Sequence, residues 1–345
     1  MRKKGVPYKN GLYNGTFYIF FIYMEGFFFS QKSSKTKGGG QVFTKKKKVQ
    51  TKQSRKLLIH ETITSYIFLL PFLAFFVMFV IYPMFMSLFT SFFDSTMGRK
   101  DIFIGFENYK TLFKDPVFWT SLKYTLIIVL VSVPITCFFS LWVASVICKM
   151  NFAGTSLFRC LFYLPVVTGS VAVAMVWKWM YNNYYGVFNY IGTHIGLLKE
   201  NINWLGDPRF ALGCIILILL TTSVGQPIVL YVSALDNVDK SLVEAAQVDG
   251  ATSFKAFWLI KWPQMMPTTL YILVITTINS FQCFALIQLL TQGGPSNSTM
   301  TIMYYIYYNA FKLYKYGYGN AMGVILAIII AILSAIQFKL GKDKN

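Results

Sequence analysis

Residues 262–311 contain no charged side chain, a run of 50. A helix crossing hydrocarbon about 30 Å thick uses about 20 residues. The run is therefore too long for one span and too apolar for a surface facing water. Residues 62–93, 124–148, 160–177, 210–235 and 316–338 are also free of charge. Only 13% of the chain is charged, 55% is hydrophobic, and the mean hydropathy is +0.51. A soluble domain carries about 25% charged residues, so composition excludes an ordinary soluble enzyme and a disordered chain alike.

Within the longest run, the polar Gly-Pro stretch 291–301 ends one helix near Leu290. The pattern predicts an all-α membrane protein with six spans, at about 66–90, 122–147, 158–181, 210–235, 264–290 and 316–338. The strict alternation of a membrane β-barrel is not visible. Residues 57–345 form one transmembrane domain on this reading, and residues 1–56 form a basic N-terminal extension.

Net charge is +19, but residues 1–56 hold 14 of the 32 Lys and Arg and only one acid, Glu25. A run such as Lys45–Lys48 is read as lying on anionic lipid or as a solvated disordered segment, not as a nucleic-acid site. Two other readings of this extension stay open: a start placed too far upstream, with Met24 as an internal candidate, and a short seventh helix over 10–24. With the N-terminus inside, cytoplasmic segments carry 22 Lys and Arg and external loops carry 8. The positive-inside bias thus puts both termini in the cytoplasm. Without the extension the score is 8 to 8, so the extension decides.

The expected spans contain no Asp or Glu, and Lys123 and Lys178 fall at their ends, where ammonium groups reach the interface. A proton-coupled carrier needs an ionisable group at membrane depth. The chain also has no G-x-x-x-x-G-K-[ST] loop, so any ATP is expected on a separate subunit. Five cysteines and two histidines show no metal-ligand spacing and read as packing residues. No catalytic residue, metal site or cofactor is assigned to this chain.

The segment 236–263 between the fourth and fifth spans is the most informative. Ser241 and Glu244 have capping-box spacing, which predicts a helix start. Gly250 suits the left-handed residue that ends a helix. A second amphipathic segment, with Phe254, Phe257 and Trp258 at helical spacing, leads to Pro263. The prediction is a helix–turn–helix held between two spans, with Ala245 and Ala246 small enough for a partner surface to approach closely.

Glu244, Ala245, Ala246, Asp249, Gly250 and Ala251, followed by Phe257, Ile260 and Pro263, resemble the EAA loop of binding-protein-dependent ABC importer permeases. Glu-Ala-Ala alone is a weak signal. The whole set between two spans is specific, against the plainer reading of a helix lying on the membrane. Other segments resemble the carbohydrate-uptake group: Phe103-Ile-Gly-Phe-Glu-Asn-Tyr109 with Asp115-Pro116, Asn203-Trp-Leu-Gly-Asp-Pro208, Thr291-Gln-Gly-Gly-Pro295 with Thr299, and Gly317-Tyr-Gly-Asn-Ala321. The resemblance covers about residues 60–340 and is nearest to the type I, maltose-permease-like subunits and the glycerol-phosphate A-type permeases.

The resemblance implies a permease that moves a sugar, oligosaccharide or related solute. Its implied partners are a second permease, two cytoplasmic ATPase subunits docked through the EAA coupling helix, and an extracytoplasmic solute-binding protein. Gln226, Asn279 and Gln282 are the polar candidates for the solute path. Asn279 and Gln282 are three apart, as on one helix face. Hydrogen bonding between helices is the plainer role for each. An ion-coupled secondary carrier and a non-transporting membrane scaffold are the rival functions.

Overall fold

In the computed structural model the described residues are 64 and 66–342. The basic extension 1–56 and the readings attached to it lie outside them. Helix α1 covers Tyr66–Thr90, with a π-turn at Val77–Ile81. A two-stranded antiparallel hairpin, β1 (Phe93–Asp94) and β2 (Ile102–Phe103), follows. Short α2 (Glu107–Lys114) leads into the 32-residue α3 (Pro116–Ile147). Next come α4 (Phe152–Val167), α5 (Ser170–Met180) and α6 (Val187–His194). Helices α7 (Ala211–Ser223) and α8 (Gly225–Asp236) precede α9 (Lys240–Val248).

Helix α10 begins as the turn Ser253–Ala256, passes through a π-turn at Phe257–Lys261 and continues as Trp262–Phe281. The chain closes with α11 (Ala285–Leu290), α12 (Ile302–Tyr307) and α13 (Tyr316–Lys342). Among the described residues, four helices are long and apolar enough to span a bilayer, and two bent pairs raise the number to six. The fold is therefore helical and multi-pass, with a small hairpin among these residues that composition did not signal.

Helix α3 is the centre. Its face through Thr125, Ile128, Ser132, Thr136 and Ser140 is buried and packs on α8 and α10. The Ser132 and Ser280 hydroxyls meet at 3.0 Å, and Ser140 donates to the Val224 carbonyl. Small hydroxyl residues let helices approach closely while satisfying polar groups in a dry interior. Helix α3 starts six residues before the expected span because Asp115 caps it, accepting from the Val117 N–H at 2.8 Å, with Pro116 at the first helical position. Lys123 consequently lies in the second turn, where it is exposed. The second Asp115 oxygen accepts the Tyr305 and Tyr318 hydroxyls at 2.6 and 2.7 Å, tying α3 to α12 and α13. Burial raises the Asp115 pKa, but these hydrogen bonds outweigh it and the net shift is downward.

Two expected straight spans are bent. The third breaks by 94° between α4 and α5, where Thr168 and Gly169 are extended and Pro165 weakens the preceding turn. The fourth bends by 41° between α7 and α8. Pro227 supplies no N–H there, and Gly225 sits against the Phe162 carbonyl of α4. By contrast α1 is peripheral: 11% of its apolar window is buried, against 56% for the fifth span.

The Gly225 contact yields a test. A Cβ at this position would run into the Phe162 backbone and the Val166 side chain. Gly225→Leu should destabilise the chain by about 1–3 kcal/mol through overpacking, read as a lower melting temperature in detergent. Gly213→Leu, where nothing lies within 4 Å of a Cβ, should leave that temperature unchanged.

Candidate functional site

The loop between the fourth and fifth spans folds as a short helix and a turn that runs into the next span. The start differs from the capping-box expectation. Asp239, not Ser241, is the N-cap: its carboxylate accepts from the Ser241 N–H at 2.9 Å and the Ser241 hydroxyl at 2.7 Å. These bonds hold the Asp239 pKa below the usual carboxylate range. An Asp two residues before a hydroxyl residue carried that signal in the sequence. Glu244 is thereby released from capping. It is exposed and makes no hydrogen bond or ion pair among the described residues.

At the other end Gly250 has φ +83°. Its N–H bonds the Gln247 carbonyl, and the Ala251 N–H bonds the Ala246 carbonyl at 2.9 Å. These are the paired bonds of a Schellman turn, which needs a left-handed residue at this position. The chain then reverses into Ser253, whose turn is capped by the Thr252 hydroxyl. The expected separate second helix is instead the first turns of α10, joined through the π-turn, so Pro263 lies inside a continuous helix.

Helix α9 buries none of its nine residues. Val243 packs against the core and Ala246 is half-buried, which marks the inner face. Ala245 and Asp249 are exposed with Leu242, and Val248 is 88% exposed. The outer face is thus an apolar strip, Leu242–Ala245–Val248, edged by Glu244 and Asp249. Sequence reasoning named the small alanines but missed Leu242 and Val248. Only Ala245 of the two alanines is fully open to a partner.

The three solute-path candidates lie at interruptions. Gln226 is half-buried in the first turn of α8, beside the 41° bend. Asn279 is exposed in the last turn of α10, and Gln282 is the half-buried residue that ends the helix. Asn279 and Gln282 therefore bracket a helix end rather than lying within an unbroken span. The chain resumes as α11 after Cys283 and Phe284, whose backbone is held by Thr301 donating to the Cys283 carbonyl at 2.9 Å. None of the three amides has a hydrogen-bond partner among the described residues. The plainer role, an amide bond between helices of this chain, is not made.

Residues 116–343 match the family model described as "Binding-protein-dependent transport system inner membrane component". A probable ABC transporter permease protein, YesP of Bacillus subtilis, is 34% identical over 84% of this chain and 93% of its own length. The lactose transport system permease protein LacF of Rhizobium radiobacter is 32% identical over 82% of this chain and 95% of its own. A crystal structure of a bacterial ABC transporter involved in the import of the acidic polysaccharide alginate has a chain with TM-score 0.70. It is 25% identical, and the match covers 83% of this chain and 97% of that one. The chain belongs to the binding-protein-dependent transport system inner membrane component family. It is the permease subunit of an ABC importer, a transport protein without an ATPase site of its own.

The turn gives the site prediction. Gly250 has space for a side chain, with nothing within 4 Å of a Cβ, so any penalty there comes from the backbone. A β-branched residue at positive φ is a strained outlier, costing about 1–3 kcal/mol locally. Gly250→Val should lower uptake and substrate-stimulated ATP hydrolysis while membrane insertion is retained, and Gly250→Asn, which tolerates this conformation, should keep most activity.

Proposed function

We propose that this chain is one half of the translocation path of an ATP-driven importer for a sugar or oligosaccharide. Its partners on this reading are a second permease, two cytoplasmic ATPase subunits and an extracytoplasmic solute-binding protein. Both termini lie in the cytoplasm, and residues 57–345 act as the transmembrane domain. ATP is bound and hydrolysed on the partner ATPases.

One observation carries the reading: a short helix, fixed between two spans by a cap and a Schellman turn, leaves a free carboxylate and an apolar strip on its outer face. An uncovered Leu242–Ala245–Val248 face suits a protein groove, and Glu244 and Asp249 supply directional charge at its edge. Helix α9 is therefore assigned as the coupling helix, with Glu244, Ala245, Ala246, Asp249, Gly250 and Ala251 as its docking segment. Closure of the ATPase dimer would push α9, and α8 and α10 would carry the motion into the bilayer.

The carbohydrate assignment rests on the lactose and alginate relatives and on the chemistry of the path. Gln226, Asn279 and Gln282 present amides without protein partners at helix interruptions, and amides pair with both the donor and acceptor sides of sugar hydroxyls. An ion-coupled carrier gains no support from a binding-protein-dependent family, nor does a scaffold without transport.

Uptake by the complex, reconstituted in liposomes with its ATPase and solute-binding protein, tests this path. Asn279→Leu and Gln282→Leu should each reduce sugar uptake, by about fivefold or more if one hydrogen bond to solute is lost at about 1–1.5 kcal/mol, without changing the melting temperature. A lower melting temperature with normal uptake per assembled complex would assign the amides to subunit packing instead.

A further inference from the structure

Helix α4, the first limb of the bent third span, buries none of its 16 residues within the chain. It lies along α8 with its side chains only partly covered, and three specific contacts are set into that packing. Thr155 donates to the Ile147 carbonyl at the end of α3, at 3.1 Å. The Phe162 carbonyl rests on Gly225. Arg159 reaches along α8 to its last residue, Asp236, with the terminal nitrogen 3.0 Å from a carboxylate oxygen.

Asp236 occupies an unfavourable place. The C-terminal end of a helix carries partial negative charge, which repels a carboxylate and favours cations. Arg159 supplies the cation from a different helix. Its Nε is buried and has no partner, and the bond to Asp236 is the one side-chain hydrogen bond it makes among the described residues. Lys261, at the foot of α10, belongs to the same charged neighbourhood: it acts electrostatically on Cys148 together with Arg159 and Asp236. The pair therefore sits where α3, α4, α8 and α10 converge on the cytoplasmic side.

From Asp236 the chain reaches α9 in three residues. Val238 is buried in the core, and Asp239 caps α9. The acid gripped by Arg159 is thus the root of the exposed helix, and the residue gripping it stands on the limb that leads to the 94° bend. We propose that the Arg159–Asp236 ion pair is the positioning contact through which displacement of α9 reaches the bent third span. The proposal rests on the reading of α9 as the ATPase-docking helix. Side chains that are 35% and 60% exposed form a pair that adds little to stability, so its loss separates coupling from folding.

The test uses the full complex in nanodiscs with its solute-binding protein. Measured together are ATPase co-purification, melting temperature, and binding-protein-stimulated ATP hydrolysis; uptake is measured on the same variants in liposomes. Arg159→Asp and Asp236→Arg should each lower stimulated hydrolysis and uptake about threefold or more, the scale of residues that modulate coupling without touching a ligand. ATPase retention and melting temperature should stay at the wild-type level, and the double exchange should restore most of the coupling. Wild-type stimulation in both single variants would overturn the proposal. So would a loss of coupling that tracks a lower melting temperature and is not repaired by the exchange, because the pair would then be structural. Failure of the docking reading has a different signature: Gly250→Val would leave ATPase retention and hydrolysis untouched, and the ion pair would have no lever to position.

Discussion

A backbone carbonyl in hydrocarbon has no water to bond, so every interruption of a spanning helix needs a donor from elsewhere in the protein. The fold is arranged around that constraint. Where α7 gives way to α8, Ser140 of α3 donates to the Val224 carbonyl. Where α10 ends, Thr301 donates to the Cys283 carbonyl, and Thr125 of α3 accepts the Ile302 N–H at the start of α12. The hydroxyl-bearing face of α3 thus closes the breaks of its neighbours. Gln226, Asn279 and Gln282 lie at those breaks, without hydrogen-bond partners among the described residues.

The same arrangement separates a buried core from helices with open faces. Helices α3, α8, α10 and α13 share buried faces and form the core. Helices α1 and α4 leave theirs open. A subunit meant to stand alone in lipid has no need of uncovered amides or of a short inter-span helix with an apolar outer strip. Both features make sense in a subunit of a binding-protein-dependent importer, where the missing surfaces come from partners.

Helix type and number were legible because burial in lipid is written as runs without charge. The candidate amides stood out for the converse reason, since an amide is conspicuous in such a run. Bends and starts were not. Glycine at 169 and proline at 165 are each compatible with a straight membrane helix, so the 94° angle was not written in them. The true caps, Asp115 and Asp239, were present as Asp before Pro and Asp before Lys-Ser, but the hydrophobic boundary and the Ser241–Glu244 spacing competed with them. The Arg159–Asp236 pair joins residues 77 apart, and no local pattern brings such partners together. In the EAA-like loop, by contrast, Gly250 was legible because a single backbone requirement, positive φ, points to one residue type.

The central claim is that α9 is the lever contacted by the ATPase. Val248, 88% exposed on its outer face, is the position from which to test it. A photoreactive amino acid placed there in the assembled complex should cross-link to the ATPase subunit, and the yield should change when ATP is bound. Cross-links to lipid or to other permease segments alone, with an assembled and active ATPase present, would contradict the account.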